Sequence, residues 1–170
     1  MAKIAAVLTD LFEESEFFSP KEALEEAGHE VVSIGPEAGQ TITGKSEGKT
    51  HELDKGIDDV KPEDFDAILI PGGYSPDKLR KDERFIEFAR YFAEQERHIF
   101  TICHGPQLLV NADVLRGKDA TAVKQVGVDV TNAGGNFIDK EVVIDDSGLI
   151  TSRTPDDLPA FNKAITDALN

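Results

Sequence analysis

The chain has 170 residues, enough for one compact domain with a real core, and its 39% hydrophobic content is ordinary for a soluble globular protein. Its 33 acidic residues against 18 basic ones give a formal net charge of −15, which repels nucleic acid and anionic membranes and removes both from the expected partners. A single cysteine excludes an intrachain disulfide, and no run reaches the roughly 18 apolar residues of a membrane span, so a cytoplasmic protein is expected.

The first element is "KIAAVLT", residues 3–9, an apolar run with acids close behind it and no cleavage pattern of a leader peptide, which reads as a buried strand. "FEESEF" then places Glu13, Glu14 and Glu16 just after that strand, and at least two of the three are expected to be solvated loop acids. "SPKEALEEAG" predicts a helix with Ser19 as N-cap, Pro20 at the first helical position and Gly28 at the stop. "HEVVSIG" is a second strand, and the polar, Gly- and Thr-rich stretch 39–57 a small β excursion. "DAILIPGG" is a buried strand ending in a turn, followed by a helix over "SPDKLRKDERFIEFARYFAEQE" with a break near Lys81–Asp82. "HIFTIC" is the next strand and "GPQLLVNADVL" the next helix. After "ATAV" and "VDVTNAGG", the segment "NFIDKEVVIDDSGLITS" reads as strands with a turn at Asp146–Gly148, and a last helix starts near Pro155.

Strands alternating with helices over the whole of residues 1–170 predict a single α/β domain, a sandwich around a mostly parallel sheet. In such sheets sites form at the carboxyl ends of strands, and three ends here carry unusual chemistry: "TDLFEESEF", "IPGGYSPD" and "ICHG". Cys103 stands where a strand turns into a helix. That sharp turn projects a nucleophile and normally has small residues on either side of it. Gly105 meets this requirement two residues later, whereas Thr101 stands two residues before. A helix N-terminus favours a thiolate, so Cys103 is expected to ionise near neutral pH and to be the first residue that peroxide oxidises. His104 is the adjacent candidate base, although a histidine here could equally cap the helix, and the amides of the "PGG" turn at 71–73 could bind an oxyanion. There is neither a GxGxxG fingerprint nor a Cys/His cluster with metal-ligand spacing, so no cofactor and no metal are expected. The acidity itself reads as a solvated surface, with adaptation to high salt as the sharper alternative.

Taken together, the "TICHGPQ" elbow, the "PGG" turn some thirty residues upstream, "FEESEF" after the first strand, "NAGG" and the terminal "TSRTPDDLPAF" resemble the DJ-one/PfpI superfamily, and within it the PfpI-like branch of intracellular proteases and general stress proteins. The resemblance runs from about residue 3 to 169. It implies a flavodoxin-like three-layer sandwich related to class I glutamine amidotransferase domains. It also implies that Cys103 is the nucleophile, His104 its base, and Glu16, four residues before Pro20, a protonated carboxyl facing the sulfur. Asp77 matches the acid that reaches the histidine from an adjacent subunit in a homodimer or hexamer. The backbone N–H groups of Gly73 and His104 match the oxyanion donors. Val123 stands where archaeal members carry a tyrosine. The activity implied first is cofactor-independent processing of reactive carbonyls, by deglycation of proteins or glyoxalase-like conversion of free dicarbonyls. A cysteine amidohydrolase or peptidase comes second, and a redox sensor or chaperone using oxidation of Cys103 third.

Overall fold

The structure, a computed structural model, describes residues 1–170. In chain order the elements are β1 (Lys3–Val7), α1 (Glu14–Glu26), β2 (Glu30–Gly35), β3 (Thr41–Thr43), β4 (Thr50–Glu52) and β5 (Lys55–Gly56). Then follow β6 (Ala67–Ile70), α2 (Ser75–Leu79), α3 (Glu83–Glu94), β7 (His98–Ile102) and α4 (Pro106–Ala112). The last third holds β8 (Asp119–Ala120), α5 (Gly127–Asn132), β9 (Asn136–Phe137), β10 (Val143–Ile144), β11 (Leu149–Ser152) and α6 (Leu158–Leu169).

Seven strands form the central sheet in the order β10-β11-β7-β6-β1-β2-β5. All neighbours are parallel except β10, which pairs antiparallel with β11 across the turn closed by the Gly148 N–H to the Asp145 carbonyl at 3.0 Å. Because side chains alternate along a strand, each buried strand feeds both faces. On β1, Ala5 and Val7 join one core while Ile4 and Ala6 join the other. The first core is covered by α3 and α4 through Phe85, Phe88, Phe92, Leu108 and Leu109. The second is covered by α1 and α6 through Phe17, Leu24, Phe161 and Ile165. The expected three-layer, flavodoxin-like sandwich is what the chain forms. No helix is long and apolar enough to cross a membrane.

The expected break in the helical stretch after residue 75 falls between α2 and α3, where the Asp82 side chain accepts from the Arg84 amide and caps α3. The start of α1 is a correction. The helix begins at Glu14, five residues before the expected cap, and Pro20 lies inside it. Pro20 has no N–H to give the Glu16 carbonyl, normally a costly fault in a helix interior. Burial of Phe17, Pro20 and Leu24 against the sheet and α6 offsets it, and the Ser19 hydroxyl, not a cap, accepts from the Asn162 amide at 2.9 Å.

Chain order also creates the place for a site. From β1 the chain steps outward to β2, then returns to β6 on the other side of β1. Loops after β1 and β6 therefore diverge, leaving a crevice at the carboxyl edge of the sheet, with the end of β7 beside it.

Candidate active site

Cys103 follows the last residue of β7 and has φ +63°, in the left-handed region that side-chain-bearing residues seldom occupy. Its backbone is tied on both sides. The N–H donates to the Ser152 carbonyl at 3.1 Å, and the carbonyl accepts from Val123 at 3.1 Å. The turn needs room beneath it, and Gly105 supplies it. A Cβ at Gly105 would lie 1.9 Å from Thr101 Oγ1 and 2.6 Å from the Ile70 carbonyl oxygen. Thr101, unexpected at a position that normally holds a small residue, is accommodated because its buried hydroxyl donates to the Ile70 carbonyl at 2.9 Å.

Glu16 enters from the first turn of α1, fully buried. Oε1 accepts from the Gly72 amide at 2.8 Å, while Oε2 has no hydrogen-bond partner. Gly72 sits between carboxyl and sulfur. A Cβ there would lie 2.4 Å from Glu16 Oε1 and 3.0 Å from Cys103 Cβ, so only glycine lets the two groups approach. Gly73 next to it has φ +80°. The Gly73 and His104 amides donate to no backbone carbonyl; the His104 N–H is directed at the Cys103 sulfur. His104 Nδ1 is 3.4 Å from Cys103 Sγ.

Burial raises the Glu16 carboxyl to about 8, against opposing help from the Gly72 amide. That burial favours the protonated carboxyl at neutral pH. Burial, and then the charge of Glu16 when it ionises, push the Cys103 thiol up to about 12. Burial thus opposes the thiolate that the helix end favours, and the turn's amides only partly offset the desolvation. His104 is held below its ordinary value, first by burial and then by Lys45, with Asp77 pulling the other way. A neutral imidazole beside a protonated thiol is a base in the right state to take its proton.

The expected solvation of the "FEESEF" acids is also corrected. Glu14 is buried like Glu16, and Glu13 is largely covered. Asp77 stands apart. It lies in the first turn of α2 with its side chain 69% exposed, at 4.0 Å from Arg80, and makes no hydrogen bond to His104.

Above the sulfur lies a pocket of about 330 Å³ whose walls include Glu13, Lys45, Tyr74, Gln125 and Pro155. Of these five, Lys45, Tyr74 and Gln125 were not singled out from the sequence for a role. Lys45 Nζ is 3.5 Å from Glu13 Oε2 and 5.4 Å from the centre of the Tyr74 ring. No group of three or more His, Cys, Asp or Glu side chains gathers anywhere in a way that would hold a metal ion.

A cysteine on a strained strand-to-helix turn, with an adjacent histidine, a buried carboxyl and two amides that bond no carbonyl, is the arrangement of a cysteine-dependent enzyme on an α/β sandwich. The chain belongs to the DJ-1/PfpI family, whose model matches residues 2–168. It is 55% identical over 161 residues to Protein/nucleic acid deglycase 2 of Escherichia coli (strain K12), covering 95% of this chain and 94% of that protein. With General stress protein 18 of Bacillus subtilis (strain 168) it shares 52% identity over 161 residues, again 95% and 94% of the two chains. Among solved structures it superposes with a TM-score of 0.95 and 37% identity on a two-domain protein of Anabaena variabilis containing DJ-1/ThiJ/PfpI-like and ferritin-like domains. The match covers 99% of this chain and 48% of that one, so this chain spans about half of its length.

Proposed function

We propose that this single domain is a cofactor-independent cysteine enzyme that acts on reactive carbonyls, as a deglycase or by glyoxalase-like conversion of free dicarbonyls. The observation that carries the reading is the contact between Cys103 Sγ and His104 Nδ1 at the floor of a small polar pocket. As a carbonyl carbon meets Cys103, the thiol proton passes to His104 Nδ1, the S–C bond forms, and the C=O π electrons move to oxygen. The amides of Gly73 and His104 receive that oxyanion. Return of the proton to oxygen gives a hemithioacetal, or a hemithioketal from a ketone. Glu16, protonated beside the sulfur, can stabilise sulfur's charge by donating to it and does not add a second charge. The deglycase name of a relative 55% identical supports the substrate class, and the stress-protein name of another supports a protective role. The relative's name includes nucleic acid, but a net charge of −15 disfavours an extended polyanion, so free dicarbonyls and protein adducts are the proposed substrates.

Within one chain no hydrogen bond holds His104 on the side away from the sulfur. We infer that Asp77 of a neighbouring copy does so, in a homodimer or larger assembly. The test of the activity is turnover of methylglyoxal by the wild-type protein and by Cys103→Ala, with a peptidase assay run alongside. Turnover that depends on Cys103 is expected. Peptide cleavage without methylglyoxal turnover would replace the carbonyl reading by the amidohydrolase one.

A further inference from the structure

Among the residues that line the pocket, Lys45 is the one with a permanent positive charge, and its position is built with unusual care. Its own N–H donates to the Phe12 carbonyl at 2.8 Å. The turn that carries it closes through the Gly44 N–H to the Lys49 carbonyl at 2.7 Å. Beneath that turn lies the carboxylate of Glu14, 2% exposed, which accepts from the amides of Ser46 at 3.0 Å, Glu47 at 2.7 Å and Lys49 at 3.3 Å. Gly44 cannot be larger, since a Cβ there would lie 2.1 Å from Glu14 Cδ. A buried carboxylate loses heavily if its amide partners leave, so Glu14 ties the turn that carries Lys45 in this arrangement. Ser46 Oγ donates to Glu13 Oε2 at 2.7 Å, which holds the acid on which Lys45 rests.

The ammonium has three donors, and Glu13, at 3.5 Å, engages at most one of them. Besides Glu13, which is also bonded to Ser46, the titratable groups around it are the protonated Glu16, a neutral His104, the Cys103 thiol and Tyr74, whose ring centre is 5.4 Å from Nζ. A chain of net charge −15 disfavours small anions near its surface, so a local cation matters for an anion that is to reach Cys103.

We propose that Lys45 selects the charge of what enters this pocket: it receives a carboxylate one or two carbons from the carbon that Cys103 attacks, as in a carbonyl acid. Glu14 is the positioning residue that holds Lys45 there. The substrate class rests on the carbonyl-processing reading above, but the test does not depend on turnover.

Iodoacetate and iodoacetamide are close in size, and each alkylates a thiol by forming S–C and releasing iodide and a proton. They differ in carrying a carboxylate or an amide one carbon from the reacting centre. Cys103 is the only thiol, so mass spectrometry reads a single site. Any effect of Lys45 on thiol ionisation acts on both reagents and cancels in the ratio of their rates. The iodoacetate-to-iodoacetamide ratio is expected to fall about tenfold in Lys45→Met, to persist in Lys45→Arg, and to fall partway in Glu14→Gln. In the wild-type protein alone it should fall as salt is raised. An equal ratio in the wild type and Lys45→Met, or a wild-type ratio indifferent to salt, overturns the proposal. A protein with the expected ratios but no methylglyoxal turnover would keep the anion subsite and remove the carbonyl reading.

Discussion

Glu16 and Cys103 occupy one small volume on either side of Gly72, and charging either raises the cost of charging the other. Two consequences can be measured. The Glu16 carboxyl binds its proton more tightly folded, at about 8, than at its ordinary 4.5. A carboxyl raised in this way supports the fold fully below 4.5, and that support is lost as pH rises through 8. Relative to Glu16→Gln, which has nothing to ionise, the wild-type protein should therefore lose stability steadily between those two values. Urea midpoints of the two proteins measured at about pH 5 and about pH 8.5 check it, and parallel behaviour would show that Glu16 does not titrate where its burial places it. The second consequence concerns the sulfur. Removing the carboxylate removes one cause of the raised thiol value, so the midpoint of iodoacetamide labelling against pH should drop in Glu16→Gln by about a unit or more.

The elbow between β7 and α4 shows how an element can depend on an absence. A methyl group at Gly105 would meet Thr101 Oγ1, the Ile70 carbonyl and, at 3.0 Å, the Ile102 carbonyl, two of them backbone atoms of sheet strands that cannot retreat. Gly105→Ala should cost roughly 1–3 kcal/mol of stability, read as a lower urea midpoint, and should lower turnover further than it lowers stability, because the strained Cys103 backbone moves first. Gly105→Ala with Thr101→Ala should recover only part of the loss, since the carbonyl clashes remain. This elbow was legible in "TICHGPQ" because every part of it is local: strand run, thiol, small residue, proline. The strand ends, the "PGG" turn and the break before Glu83 were legible for the same reason. The start of α1 was not, because Ser19-Pro20 carries the local signature of a helix N-terminus, and only packing of Phe17 and Leu24 shows that the helix already exists there. Lys45 was not legible either. Its nearness to Cys103, 58 positions away, is set by the Glu14-bound turn and has no local pattern.

At the scale of the whole molecule, the proposed reaction turns on what holds His104. One face of its ring meets Cys103, and the chain supplies no hydrogen-bonded acid to the other. Asp77 is near enough for its charge to raise His104, yet its exposed side chain is paired only with Arg80, at 4.0 Å. A base of this kind needs a partner that fixes its tautomer and supports its charged form. If the Asp77 of a second copy is that partner, a monomer has an incomplete site and activity depends on association. Asp77→Ala should then reduce turnover about tenfold or more. It should also move the acid limb of the pH–rate profile to lower pH, because an acid that raises His104 has been removed. Cys103 labelling by iodoacetamide should change little, since burial and Glu16 set the sulfur. Light scattering gives the mass of the particle. Mixing Asp77→Ala with Cys103→Ala protein gives the arrangement: each is weak or inactive alone, and a mixed pair contains one site with Cys103 and His104 from the first chain and an intact Asp77 from the second. Recovered turnover after confirmed subunit exchange is the expected result. Turnover that stays at the Asp77→Ala level in the mixture, with exchange complete, would mean that Asp77 acts within its own chain or only in the first turn of α2.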